Sequence, residues 1–378
     1  MKFAIDLTWV RHKIVGGTES FVMNLMDGIM ETKNENEVFL IAAKDNKVLF
    51  ERYEKIHGVT IIVGNVRSAK VSERILWQNF CLRNLLVKNG IKVCLEPVYC
   101  KPILCYRNVQ WLTVIHDLEA LHFPENHSKV SNLWLRICWH SSAKTSTRVV
   151  AISDYVKKDI QEKYGVSERR IDTIYDPIYL NLEDIAEFDE VAEKYHIQKG
   201  EYFYTVSKLN PHKNLVTLIK VFGEAKKNGQ AFTEKLVISG VDGGMKKEMF
   251  CLAKEYQIED SLILTGFVQN AERNCLYRYA KAFLFPSVFE GFGMPPIEAM
   301  VYKTPVITTK CACIQEVTQK CASYVNDPYS AEEWIAHMRD VKPNDDAFDY
   351  KVYEPQVIAK KYIDILEEIG RASCRERV

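Results

Sequence analysis

No run of about 18–20 apolar residues occurs in this chain of 378, so no stretch reads as a bilayer-spanning helix. No CxxC pair occurs among its eleven cysteines, which argues against zinc ribbons and redox motifs. Cys94, Cys100, Cys105 and the Cys311-Ala312-Cys313 pair are read instead as free thiols of a reducing cytoplasm. No secretory leader is visible, because the chain runs straight into the strand pattern Lys2-Phe3-Ala4-Ile5-Asp6. Internal repeats and low-complexity tracts are absent. Net charge is absent too, with 50 Lys+Arg against 50 Asp+Glu. The balance is uneven, however. Residues 1–178 carry 25 basic and 20 acidic side chains, or +5, and the remainder carries 25 against 30, or −5. A mildly basic first half suits an anionic acceptor or membrane surface, and a solvated face accounts for it equally.

The hydrophobic content of 47% and charged content of 26% are those of a globular protein, and the length suffices for two domains. Short apolar runs alternate with amphipathic segments, the pattern of parallel sheets with helical crossovers. Seven strands are expected before residue 178, starting at Phe3, Val38, Thr60, Lys92, Leu112, Val149 and Ile171. Five more start at Tyr202, Leu236, Leu262, Ala282 and Pro305. The expected fold class is therefore α/β, with two doubly wound Rossmann-like domains facing across a cleft. The first domain takes residues 1–178 and the second 201–353, joined by an acidic linker at 179–200. A helix at 354–368 follows. Residues 369–378 (IGRASCRERV) have three arginines and no apolar periodicity, and are read as a disordered, non-native tail.

The most informative stretch is Phe283–Met300, FLFPSVFEGFGMPPIEAM. Phe283, Leu284 and Phe285 read as a buried strand, Glu290–Gly293 as a loop, and Pro295-Pro296 as the first turn of a helix. The N–H groups of Phe292, Gly293 and Met294 are then available to an anion, assisted by the helix dipole. With the carboxylates of Glu290 and Glu298, such a site suits a nucleotide sugar. Downstream of the Tyr202 strand, Lys208 and Lys213 stand before a helix that Asn214 is placed to cap. Gly16-Gly17 opens the first helix, and His116-Asp117 ends the Leu112 strand. Glu73–Gly90 has apolar residues at helical spacing with Arg74, Arg83 and Lys88. It is read as a core-facing helix with solvated cations; rest on a membrane is the other reading.

The 283–300 stretch resembles the E-x7-E motif of retaining glycosyltransferases of the family-4 (group 1) type. The resemblance implies the GT-B architecture, with Glu290 on the donor sugar and Glu298 on the ribose. It implies diphosphate contacts for Lys213, Lys208 and Gly16-Gly17, and a place near the anomeric centre for His116. His116 is expected there as a hydrogen-bond donor, with Asp117 orienting it or binding acceptor. Three features depart from the family pattern: Lys208 replaces an arginine, Lys303 a glycine, and Cys311-Ala312-Cys313 small or polar residues. The implied activity moves a hexose from a nucleoside-diphosphate sugar to a glycan or lipid-linked acceptor in cell-surface polysaccharide synthesis. No metal or other cofactor is expected, no nucleic acid, and at most peripheral contact with the inner membrane. A nucleotide-sugar epimerase, a sugar phosphorylase and a non-catalytic nucleotide-sugar-binding scaffold are the alternatives.

Overall fold

The computed structural model describes residues 1–11, 16–32, 35–98, 101–104 and 107–375. Cys100 and Cys105 lie outside them. The chain divides into two compact units, one of Met1–Tyr179 with the residues from Lys351 onward, the other of Leu180–Tyr350.

The first unit holds seven strands: β1 (Lys2–Asp6), β2 (Glu37–Ala42), β3 (Val59–Val63), β4 (Val93–Glu96), β5 (Gln110–Ile115), β6 (Arg148–Ala151) and β7 (Ile171–Thr173). They form one sheet in the order β3-β2-β1-β4-β5-β6-β7, and every pairing is parallel. The second unit holds six: β8 (Tyr202–Val206), β9 (Lys235–Ser239), β10 (Leu262–Gly266), β11 (Ala282–Phe285), β12 (Val306–Thr309) and β13 (Ser323–Val325). Their order is β10-β9-β8-β11-β12-β13, again all parallel. Covering helices bury both faces of such sheets, which is why the central strands are unbroken apolar runs. Phe283, Leu284 and Phe285 of β11 are fully or almost fully buried.

Strand order reverses between β1 and β4 in one sheet and between β8 and β11 in the other. Loops leaving the carboxyl ends of strands at such a switch diverge and open a crevice, where ligands of doubly wound sheets bind. The loops after β8 and β11 carry Lys213 and Glu290.

Four expectations are corrected. Residues 180–200 are more than a linker with a short helix: Phe188 and Val191 of the helix Phe188–Tyr195, with Ile197, are buried in the second unit's core. The last helix does not end at Glu368 but runs Pro355–Arg375, with Ile369 buried and Gly370 close against Met1 and Val93. Packing thus orders a segment without apolar periodicity. β13 and the helix Ala331–Arg339 went unforeseen, the first only three residues long, the second anchored by Trp334 and Met338. The expected helix over Glu73–Lys88 is broken by a π turn, Gln78–Leu82, between Val71–Trp77 and Arg83–Lys88. Asn79 in that turn donates to the Ile75 carbonyl and accepts from the N–H groups of Ile103 and Leu104.

The last helix packs on the helix Gly17–Glu31 so closely that a Cβ on Gly28 would lie 2.2 Å from the Pro355 carbonyl oxygen. Gly28→Val is therefore expected to destabilise the protein by about 1–3 kcal/mol through overpacking. Urea unfolding measures this, and an unshifted midpoint would mean that the two helices separate without cost.

Candidate active site

β8 ends at Val206 and the chain continues through Ser207–Asn214. The loop after β9 lies directly against this segment: Leu209 N–H donates to the Val241 carbonyl, and Gly240 (φ +140°) has no room for a Cβ beside Ser207. Pro211–Lys213 then makes one 3-10 turn, followed by Asn214 in the left-handed conformation (φ +53°). Asn214 stands at the cap position of the helix Leu215–Lys227, but its side chain does not cap it. Its Oδ1 accepts from the Thr217 hydroxyl, and its Nδ2 donates to the carbonyls of Pro286 and Pro328. A tertiary bond has displaced the local one. The Val288 N–H and Ser287 hydroxyl both donate to the His212 carbonyl. These bonds stitch the loop after β11 to the loop after β8.

The result is a close ion pair. Lys213 Nζ lies 2.7 Å from Glu290 Oε1 and 2.8 Å from Oε2, and Glu290 is 9% exposed. In so dry a setting each charge depends on the other, because a lone buried charge is costly. The two side chains that the sequence singles out for phosphate and sugar therefore share one point. Lys208 does not join them: it is exposed and, among the described residues, in no ion pair.

Glu290 leads into the helix Met294–Val301, whose cap is Gly293. Gly293 has φ +91°, and a Cβ there would meet Ile314 at 2.9 Å, so both conformation and space demand glycine. Phe292 is buried, which fixes the loop from inside. The Cys313 thiol, buried, donates to the carbonyls of Glu290 and Phe292 at 3.3 and 3.1 Å. Thr309 donates to the Ser287 carbonyl and Thr308 to that of Phe285. The segment after β12 thus braces the helix entrance from below. Cys313 is a functional support that sequence reasoning saw only as a departure from type. Lys303, another of the departures, takes φ +61°, a backbone region that favours glycine, which suits the glycine that the resemblance expects there.

Glu298 sits one turn into the same helix with partners of its own. Tyr277 donates its hydroxyl to Glu298 Oε2 at 2.9 Å, and Arg273 Nε lies 3.9 Å away. The Glu298 carboxylate raises the Arg273 guanidinium further above its ordinary range, and burial keeps the Tyr277 phenol well above its own. Neither partner was foreseen. The signal was their i, i+4 spacing on the helix Asn270–Tyr279, which sets both on one face.

The other candidates belong to the first unit. His116 follows β5, and its Nε2 lies 2.8 Å from the Pro97 carbonyl oxygen. Burial pushes its imidazole down to about 4, so the ring is neutral at pH 7. A carbonyl only accepts, so Nε2 carries the proton and Nδ1 is left as an acceptor. This reverses the donor role expected for His116. Asp117 Oδ1 accepts from the Glu119 N–H. Gly16, extended, caps the helix that begins at Gly17, and a Cβ on Gly16 would press on Glu19. A cavity of about 230 Å³ brings the neighbouring Thr18 together with His116 and Asp117. Glu119 and His127, 3.4 Å apart, also line it, and neither was singled out on sequence. Ser153 only caps its helix, accepting from the Val156 N–H. Among the described residues no cluster of His, Cys, Asp and Glu is arranged to hold a metal ion, and no helix is long and apolar enough to cross a membrane.

Comparisons with known proteins identify the family. The family model "Glycosyl transferases group 1" matches residues 187–359, and "Glycosyltransferase Family 4" matches residues 15–182. The chain is 28% identical over 310 residues to the O-antigen chain mannosyltransferase RfbU of Salmonella typhimurium, covering 80% of this chain and 82% of that one. It is 25% identical over 239 residues to O-antigen chain mannosyltransferase B of Escherichia coli, covering 62% of each. Among solved structures it is similar to Anabaena HepE in complex with UDP and glucose, with a TM-score of 0.66, 16% identity, and 99% of this chain and 100% of that one covered. That is a likeness of fold. The two family models between them take in the second sheet, every strand of the first but β1, and the residues around Lys213, Glu290 and His116, and the chain belongs to the group 1, family 4 glycosyltransferases.

Proposed function

We propose that this glycosyltransferase moves a hexose, in the first instance mannose, from a nucleoside-diphosphate sugar to a hydroxyl of a glycan or lipid-linked acceptor, with retention of anomeric configuration. The observation that carries the reading is the Lys213–Glu290 pair beside the Gly293 helix entrance, at the switch point of the second sheet. Mannose is favoured because O-antigen mannosyltransferases match much of the chain. Growth of a cell-surface polysaccharide is the corresponding setting. The cytoplasm, where nucleoside-diphosphate sugars are made, is the corresponding compartment.

In the reaction the bond from the anomeric carbon to the diphosphate oxygen breaks, and the nucleoside diphosphate leaves with the bonding pair. Lys213, which keeps donor capacity beyond its bonds to Glu290, meets the charge that builds there. Lys208 and the N–H groups of Phe292, Gly293 and Met294 add to that field. Glu290 orients the sugar by its hydroxyls, and Glu298, steadied by Tyr277 and Arg273, takes the ribose. His116 offers Nδ1 to a hydroxyl near the anomeric centre, Gly16-Gly17 approaches the diphosphate, and Asp117 lines the acceptor side. The acceptor oxygen bonds to the anomeric carbon and its proton passes to the departing phosphate. Protein cations thus do the work of a divalent ion, and no cofactor is needed.

Glu290→Gln and Lys213→Met, chosen to keep side-chain volume, are each expected to lower kcat/KM by about 10²-fold or more. Circular dichroism checks that the variants fold; near-wild-type rates from both would remove these residues from the mechanism. Chelation with EDTA is expected to leave the initial rate unchanged, and a loss restored by Mg²⁺ or Mn²⁺ would contradict the metal-free reading. A thermal-shift series with UDP-, GDP- and ADP-sugars identifies the donor. A ligand at a hundred times its Kd stabilises the folded state by about 2.7 kcal/mol. No shift with any donor would count against nucleotide-sugar binding.

A further inference from the structure

Two helical segments of the first unit expose apolar faces. In the segment Val71–Lys88, broken by its π turn, Leu76, Phe80 and Val87 lie outward, with Phe80 52% exposed. The core-facing reading holds for Trp77, Leu82 and Leu86, but a second apolar stripe faces out. In the helix Lys129–Thr145, Val130, Leu133 and Ile137 follow one another at i, i+3 and i+7, with Val130 81% and Leu133 61% exposed. Such a stripe is ordinarily turned to a core. Leu104, 64% exposed, stands on a loop that Asn79 ties to the π turn. Ile103 of that loop lines a groove with Arg136 and Ile137 of the second helix. A cavity of about 240 Å³ has Arg74 and Gln78 from one helix and Trp134 and Leu135 from the other. The exposed stripes are therefore neighbours on one surface.

The charge on this surface decides what covers it. Residues 71–90, 101–110 and 129–145 hold eight Lys and Arg and a single acid, Glu73, in a chain whose totals balance. Glu73 is itself neutralised by Arg67. Among the described residues Lys88, Lys129, Arg136 and Lys144 are in no ion pair, although carboxylates abound elsewhere. Apolar side chains ringed by unpaired cations match neither a core nor an ordinary solvated face. They match an interface whose interior is hydrocarbon and whose rim is anionic.

We propose that this face, formed by Val71–Lys88, the 101–104 loop and Lys129–Thr145, docks on an anionic phospholipid bilayer. Leu76, Phe80, Leu104, Leu133 and Ile137 enter the acyl boundary, and the cations meet the headgroups. Binding of this kind needs neither donor nor acceptor, so it stands or falls independently of the catalytic proposal.

Vesicle flotation of the full chain tests it. Wild type is expected to float with vesicles of equal parts phosphatidylcholine and phosphatidylglycerol, and to remain behind with phosphatidylcholine alone. The double variant Phe80→Ser/Leu133→Ser removes two apolar anchors and is expected to weaken binding about tenfold or more. Arg136→Gln and Lys144→Gln are expected to weaken it about fivefold each on anionic vesicles only. All four positions are exposed, and an unchanged melting temperature confirms that the variants fold. Failure of wild type to bind anionic vesicles overturns the proposal, as does undiminished binding by the variants. So would a wild-type dimer that Phe80→Ser/Leu133→Ser converts to monomer, for the face would then be a contact between copies.

Discussion

The pairing of Lys213 with Glu290 is the interaction on which the second unit's site depends. It joins two loops that leave adjacent parallel strands where the sheet order reverses, a place where chain connectivity alone would let them diverge. The pair is nearly dry, so neither charge is tolerable without the other. That dependence explains the surrounding construction. The His212 carbonyl accepts from two donors on the opposite loop, Asn214 gives up capping in order to bridge to Pro286, and a buried thiol at Cys313 holds the carbonyls on either side of the glycine turn. Lys213 is thus held in place, with the loop of its counter-ion fixed by main-chain bonds rather than by chance.

In the first unit burial plays the corresponding part. His116 loses its affinity for protons because it is buried, in edge contact with Phe21, and its hydrogen bond to the Pro97 carbonyl only partly offsets that. The outcome is a neutral ring with a defined tautomer, one nitrogen spent on the protein and one left to accept. Around it, Asp117, Glu119 and His127 place polar groups in a small, largely apolar cavity between the end of β5 and the start of the first helix. The same unit carries the apolar and cationic face of the Val71–Lys88 and Lys129–Thr145 segments.

Much of the architecture was legible in the chain. The strands expected to start at Ile171, Tyr202, Leu262 and Ala282 start there in the structure. These are apolar runs, and local pattern determines them. β13 was not legible, since three residues carry no pattern and its place comes from pairing with β12. The π turn was missed because its cause, Asn79 reaching Ile103 and Leu104, lies in tertiary structure.

The candidate site divides in the same way. Glu290, Gly293, Glu298 and Lys213 are recognisable from spacing, because a glycine turn entering a proline-led helix fixes where carboxylates and amides stand. The sequence by itself therefore determined two parallel α/β units, the helix entrance and the residue types that serve it. Only the tertiary structure decided that Lys213 meets Glu290 rather than solvent, that Arg273 and Tyr277 hold Glu298, that His116 is an acceptor, and that Phe80 and Leu133 face outward. Periodicity marks which residues share a face, but what lies against that face depends on residues far away in the chain. Burial and hydrogen bonding, which set charge and tautomer, depend on those same distant neighbours.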